Sequence, residues 1–98
     1  MSFEEFIAAA AVPAAAGPAL AALWHDAHGD WAKAHSAVQQ NAGDDAASSW
    51  VHAYLHRKEG DAANARYWYV RAGRTPPAKT VTLDTEREAI ARELLKAV

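Results

Sequence analysis

Residues 23–38 read LWHDAHGDWAKAHSAV and residues 54–69 read YLHRKEGDAANARYWY, and laying one over the other at an offset of 31 residues decides the fold. Gly29-Asp30 falls on Gly60-Asp61, His25 on His56, Ala34 on Ala65 and Val38 on Tyr69. A fixed period of about 20–50 residues marks a supersecondary unit that has been copied and stacked. In each copy the glycine is free to take the left-handed conformation that closes a helix, and the aspartate that follows caps the next helix with its carboxylate. Each copy therefore reads as helix, Gly-Asp turn, helix, the first over about 18–41 and the second over about 48–73.

Outside the copies the same helical grammar continues. Ser2 and Glu5 form a capping box ahead of Phe3, Phe6 and Ile7, which recur at helical spacing until Pro13 ends that helix. Pro18 suits the first turn of the next helix because its missing N–H has no partner there in any case. Ser48 and Ser49 read as the cap of the helix that carries Trp50, and the stretch Asn41 to Ser49 as the connector between copies. After Gly73 the Thr75-Pro76-Pro77 segment breaks the chain. A last helix follows over about 85–97, with Thr85 and Glu88 as its capping box and Ile90, Ala91, Leu94, Ala97 and Val98 as its buried stripe.

Composition limits what this scaffold can be. Ninety-eight residues fill one small domain, so the whole chain reads as a single all-α unit. Alanine supplies 26 of those residues, which favours helices but leaves the core short of volume, so Trp24, Trp31, Trp50, Trp68, Tyr54 and Tyr69 must fill it. Without cysteine there is no disulfide, thiolate nucleophile or thiolate metal site, and a cytoplasmic location is the expectation. The apolar run from Phe6 to Leu23 contains Pro13, Gly17 and Pro18 and follows acidic residues, so neither a membrane span nor a signal peptide is read there. Residues 1–50 carry one lysine against six carboxylates, whereas residues 56–79 carry six cations against Glu59 and Asp61. The middle of the chain is thus cationic, a bias that attracts acidic partners when internal carboxylates do not consume it.

The series Ala65, Tyr69 and Pro77 after the Gly60 turn, with Ala34 and Val38 in the first copy, resembles the second helix of the tetratricopeptide repeat. The first-helix signature of that family is not matched, since Ser49, His52, Ala53 and His56 stand at its positions. The resemblance covers roughly residues 18–77 and implies a right-handed stack of two tetratricopeptide-like (or Sel1-like) hairpins, flanked by N- and C-terminal helices. It further implies that first helices line a groove for a peptide, which places Trp50, Tyr54, Arg57 and Lys58 at that groove. The string from Trp50 to Asp61, with Asn64-Ala65-Arg66-Tyr67-Trp68-Tyr69, is also similar to a small all-helical family of bacterial proteins without an assigned activity.

Helical angles sort the candidate site residues. Trp50, Val51, Tyr54 and Leu55 share one face of their helix, and His52, His56 and Glu59 the opposite one, whereas the resemblance to the repeat implies that His52 and His56 face the packed interior of the hairpin. On the next helix Ala65, Trp68, Tyr69 and Ala72 point inward, leaving Asn64, Tyr67 and Arg71 along an outer row. Arg57, Lys58, Asn64, Tyr67 and Arg71, with Trp50 and Tyr54, therefore form the candidate binding face. Aromatics and arginine together are the usual composition of binding hot spots, and the arginine fork suits a carboxylate or phosphate. Against this, Trp50 and Tyr54 also read as core, and Arg57 is placed to pair with Asp26 or Asp30 of the first copy. His52 and His56, at i, i+4 with Glu59 one turn on, form the alternative site, for a metal or small ligand. His25 and His28 make a weaker pair, and His35 stands alone.

No nucleophile elbow, phosphate loop or dinucleotide motif is present, which argues against an enzyme without settling the point. No cofactor is implied, and the small basic cluster argues against nucleic acid. The expectation is a non-catalytic interaction module that takes a partner protein or acidic peptide on its second hairpin. Two repeats make a short groove, so a homodimer is favoured over a monomer.

Overall fold

A computed structural model of the chain describes residues 1–39 and 45–97, and these form six helices and no strand. They are α1 (Phe3–Ala8), α2 (Pro18–Ala27), α3 (Trp31–Gln39), α4 (Ala46–Glu59), α5 (Ala62–Ala72) and α6 (Leu83–Leu95). The expected end of the second hairpin helix at Asn41, most of the connector, and Val98 lie outside the described residues. No helix among the described residues is long and apolar enough to cross a membrane.

The two Gly-Asp turns are built alike. Gly29 and Gly60 sit at φ +82° and +89°, where a Cβ would be strained. The N–H of Asp30 returns to the His25 carbonyl and that of Asp61 to the His56 carbonyl, while the two carboxylates accept from the N–H groups of Lys33 and Asn64. Each turn thus closes one helix with a returning N–H and starts the next with a carboxylate cap.

Three boundaries differ from the sequence reading, each for a local reason. The first helix stops at Ala8, five residues before Pro13, and the carbonyl of Ala9 just beyond accepts the Trp24 indole N–H at 3.1 Å. Asp45, rather than Ser48 or Ser49, caps α4: its carboxylate accepts from the Ala47 N–H and from the Ser48 hydroxyl, drawing both serines inside the helix and out of water. Thr82, rather than Thr85, caps α6, its hydroxyl accepting from the Thr85 N–H at 3.1 Å, and Glu88 turns to Arg92 instead.

Helix α4 is the axis of the molecule, in contact with α2, α3, α5 and α6. Val51, Tyr54 and Leu55 enter the main core with Phe6, Leu20, Leu23, Ala34, Val38 and Ile90. Ala53 meets Ala65 and Tyr69 in a smaller cluster that Trp50 and Trp68 complete. Among the described residues the backbone of α5 packs closely against α4 alone, and the helix reaches α6 through the Tyr69 side chain.

Two buried carboxylates join the helices around that axis. Asp26 of α2, 2% exposed, accepts the Tyr54 hydroxyl at 2.5 Å, Lys58 at 2.7 Å and Arg87 of α6 at 3.4 Å. Glu86 of α6, 5% exposed, accepts Arg57 at 2.7 Å and the Tyr69 hydroxyl of α5. Burial, reinforced by the carboxylate each one faces, pushes both tyrosine hydroxyls far above their ordinary pKa, so they stay donors. Removing one carboxylate strands a buried tyrosine hydroxyl and leaves partly exposed cations unpaired, at about 3 kcal/mol. Asp26→Ala is expected to cost that much in urea denaturation, and Asp26→Asn, which keeps an acceptor for Tyr54, clearly less. A change below about 0.5 kcal/mol for the alanine variant, the size of an ordinary surface substitution, would remove Asp26 from this role.

Candidate functional site

The histidine face of α4 is covered rather than open. His52 and His56 are 3% and 6% exposed, because α3 lies across them and Trp68 of α5 closes one flank. The residue that meets them is His35 of α3. Its Nε2 stands 3.1 Å from the Nε2 of His52, and one ring nitrogen of each histidine lies within 4.8 Å of those of the other two. Aromatic rings hold the imidazole planes: Trp31 stacks on His35 with centroids 4.8 Å apart, and Trp68 on His52 at 4.0 Å. Trp31 is itself fixed by its indole N–H, which donates to the Leu55 carbonyl at 2.9 Å. Glu59 takes the Nδ1 of His56 at 2.5 Å. The Nδ1 of His52 is buried and has no hydrogen-bond partner among the described residues.

His25 and His28 do not join this cluster; both pack on Trp24, and His28 bonds the Trp24 carbonyl. A second set of potential donors, His56, Glu59 and Asp61, shares one histidine with the first and is far more exposed. His35 was hidden in the sequence because it has no histidine neighbour at helical spacing. Its register gave a signal nonetheless, since it follows Ala34 directly and lies between Trp31 and Val38 on the inner side of α3.

The residues of the expected binding face separate into two groups. Four are occupied internally. Tyr54 is buried on Asp26, Lys58 pairs with Asp26, Arg57 is held by Glu86 and by the Val81 carbonyl, and Trp50 is roofed by the Arg74 guanidinium 3.8 Å from its ring centre. Arg57 pairs with neither Asp26 nor Asp30, because α6 brings Glu86 to it. Asn64, Tyr67 and Arg71 remain on the outside of α5. Arg71 has no carboxylate partner among the described residues; its guanidinium lies 5.6 Å from the ring centres of Tyr67 and Trp68, and it bonds the Tyr67 hydroxyl at 3.2 Å.

Sequence reasoning missed a cleft beside this helix. Ala62, Ala65, Arg66 and Tyr69 of α5 face Pro76, Pro77 and Lys79 across a space of about 210 Å³, with Arg57 at its inner end. Arg66 and Lys79 are exposed and form no ion pair among the described residues. The signal was the second proline after the helix-ending Gly73, which turns the chain back along α5.

His52 and His35 resist protonation. Burial first, then the neighbouring His56 and His35, pushes His52 down to about 4, and burial also lowers His35. An unfolded histidine titrates near ~6.5, so below that pH the unfolded chain takes up a proton that folded His52 refuses. The contribution of neutral His52 to stability is therefore whole above about pH 6.5 and is lost as pH falls towards about 4. In chelator-treated protein the unfolding free energy is expected to fall through this window more steeply for the wild type than for His52→Gln, by up to about 1.4 kcal/mol per pH unit for one proton. Parallel profiles for the two proteins would show that His52 does not carry the difference.

Comparison of the chain with protein-family models, with curated proteins and with solved structures finds no significant match in any of the three. The reading of function accordingly rests on the geometry of the chain's own surfaces and clusters.

Proposed function

We propose that this chain is a non-catalytic interaction module that receives an acidic, partly apolar segment of a partner protein on the outer face of α5. The observation that carries the reading is where its large exposed apolar residues lie. Among the described residues these are, apart from Met1, Tyr67, 51% exposed, and Val70, 74% exposed, and both are on α5. At 100° per residue the order around the helix is Arg66, Val70, Tyr67, Arg71, an apolar strip with a cation on either edge. That strip has the composition of an interface core and rim. Past Arg66 it continues into the cleft with Lys79.

A segment with carboxylates flanking one or two apolar side chains complements such a strip in both charge and shape. A second copy of the same face does not, because Arg66 and Arg71 would meet their like. On the tetratricopeptide-like reading α5 is the last helix of the last hairpin, the position where a longer array would place its next repeat, and among the described helices its backbone lies close to α4 alone, with α6 reached through Tyr69. The binding region is thereby narrower than the sequence reading of the second hairpin: Asn64, Tyr67 and Arg71 stay in it, Arg66, Val70 and Lys79 join it, and Arg57, Lys58, Trp50 and Tyr54 support it from behind.

The test is fluorescence anisotropy with a labelled peptide of alternating Glu-Glu and Leu-Leu pairs, beside the same peptide with lysine for glutamate. Binding is expected for the acidic peptide alone and should weaken as salt rises, since the cations are exposed. The double variant Arg66→Glu/Arg71→Glu is expected to weaken it at least about tenfold, the equivalent of 1.4 kcal/mol. Equal binding by wild type and double variant, or equal binding of both peptides, would reject the face.

A further inference from the structure

We propose that His35, His52 and His56 together bind one borderline transition-metal dication, zinc first among them, through three imidazole nitrogens, with a coordination position left over for water or an external ligand. The proposal concerns the α3–α4 seam and does not depend on what binds α5.

Distances fit the ion. With zinc–nitrogen bonds of about 2.0–2.1 Å and tetrahedral angles, two ligand nitrogens stand about 3.3 Å apart. The Nε2 atoms of His35 and His52 are 3.1 Å apart, and the third histidine has a nitrogen within 4.8 Å of both partners'. His52 and His56 follow one another by a single helical turn, their rings stacked at 4.8 Å and only 25° from parallel.

Hydrogen bonding points the same way. A neutral imidazole has one N–H and one lone pair. The bond between His35 and His52 consumes one of each, and the buried Nδ1 of His52 is left with nothing. The Nε2 atoms face each other and are the ligand atoms, so an ion there fixes the Nδ1 of His52 as an N–H rather than pairing it. A cation gives the inward-facing lone pairs a common acceptor of electron density. Glu59 completes the pattern, because its carboxylate on the His56 Nδ1 fixes the tautomer whose Nε2 is a ligand, the usual outer-shell partner of a metal-bound histidine. Trp31 and Trp68 hold the other two rings before any ion arrives.

Donor chemistry chooses the class of ion. Three nitrogens and no cysteine suit zinc, copper, nickel or cobalt, whereas magnesium and calcium require oxygen cages. His35 is only half-buried and offers the way in.

The experiment is calorimetric titration of chelator-stripped protein with Zn²⁺, paralleled by Co²⁺ followed by visible absorption. One equivalent is expected to bind, to raise the melting temperature because it binds only the folded chain, and to give the intense cobalt bands of a four- or five-coordinate site. Loss of an outer-shell partner alone costs about 10–100-fold in affinity, so loss of a ligand in His35→Ala should cost about 100-fold or more. His35→Phe, which keeps the ring stacked on Trp31 but has no nitrogen, should lose zinc equally while circular dichroism shows unchanged helix. His25→Ala/His28→Ala should bind as wild type does, and so should Asp61→Ser, which retains the helix cap and alters only the competing donor set. Undiminished zinc affinity in His35→Phe, loss of binding in Asp61→Ser or in the His25/His28 variant, or no 1:1 binding by the wild type would each overturn the assignment.

Discussion

The arrangement of this molecule depends on two carboxylates that cannot reach water. Asp26 and Glu86 lie on α2 and α6, which touch α4 and each other, and between them they take up Tyr54, Arg57 and Lys58 from α4, Tyr69 from α5 and Arg87 from α6. Four helices meet through these bonds. A buried carboxylate without such partners would be driven towards its neutral form or would unfold its surroundings, so the helices are constrained to the rotation that supplies donors. The tyrosines matter as much as the cations, since each adds a donor whose hydroxyl stays protonated at any physiological pH.

The same pair explains a difference between the two copies that invites a functional reading. Asp26 in the first copy stands where Arg57 stands in the second, a reversal of charge at an equivalent place. Both side chains turn to α6, where neighbouring residues meet them with opposite sign, Arg87 to Asp26 and Glu86 to Arg57. The divergence is therefore matched to a single helix lying across both hairpins, and it records architecture. Once Arg57 and Lys58 are committed inward, the cationic excess of the chain's middle shrinks to the residues on and around α5.

Local structure was legible in the sequence where a single residue type decides it. The Gly-Asp turns, the Ser2–Glu5 capping box and the break after Gly73 each follow from a backbone requirement that few residues meet. Caps chosen between competing side chains were harder: Asp45 against Ser48, and Thr82 against Thr85, differ by which oxygen reaches the first N–H groups, and spacing alone does not decide that. Periodicity placed His52 and His56 opposite the apolar stripe of α4, and they are there. It could not show that α3 covers that side as well, because the covering residue comes from another helix. Asp26 left a trace that hydropathy conceals: it continues the buried series Ala19, Ala22 and Leu23 at helical spacing, as a charge in a core register. A charge in such a register calls for partners, and here it found three.

An alanine-rich core also needs such bonds for a reason beyond the charges themselves. Small side chains present nearly featureless helix faces, so several rotations of α4 would bury similar apolar area, and packing alone would leave them close in energy. Directional contacts on different sides of the helix remove that degeneracy. Tyr54 and Lys58 are answered by Asp26, Arg57 by Glu86, His52 by His35, and the Leu55 carbonyl by the Trp31 indole. Turning α4 by one residue, about 100°, breaks all of these at once, whereas it would disturb a ring of alanines only slightly. Polar groups thus set the angle of the central helix while apolar burial supplies the drive to close around it. The angle they set brings three imidazoles together at the α3 seam and leaves the outer face of α5 uncovered.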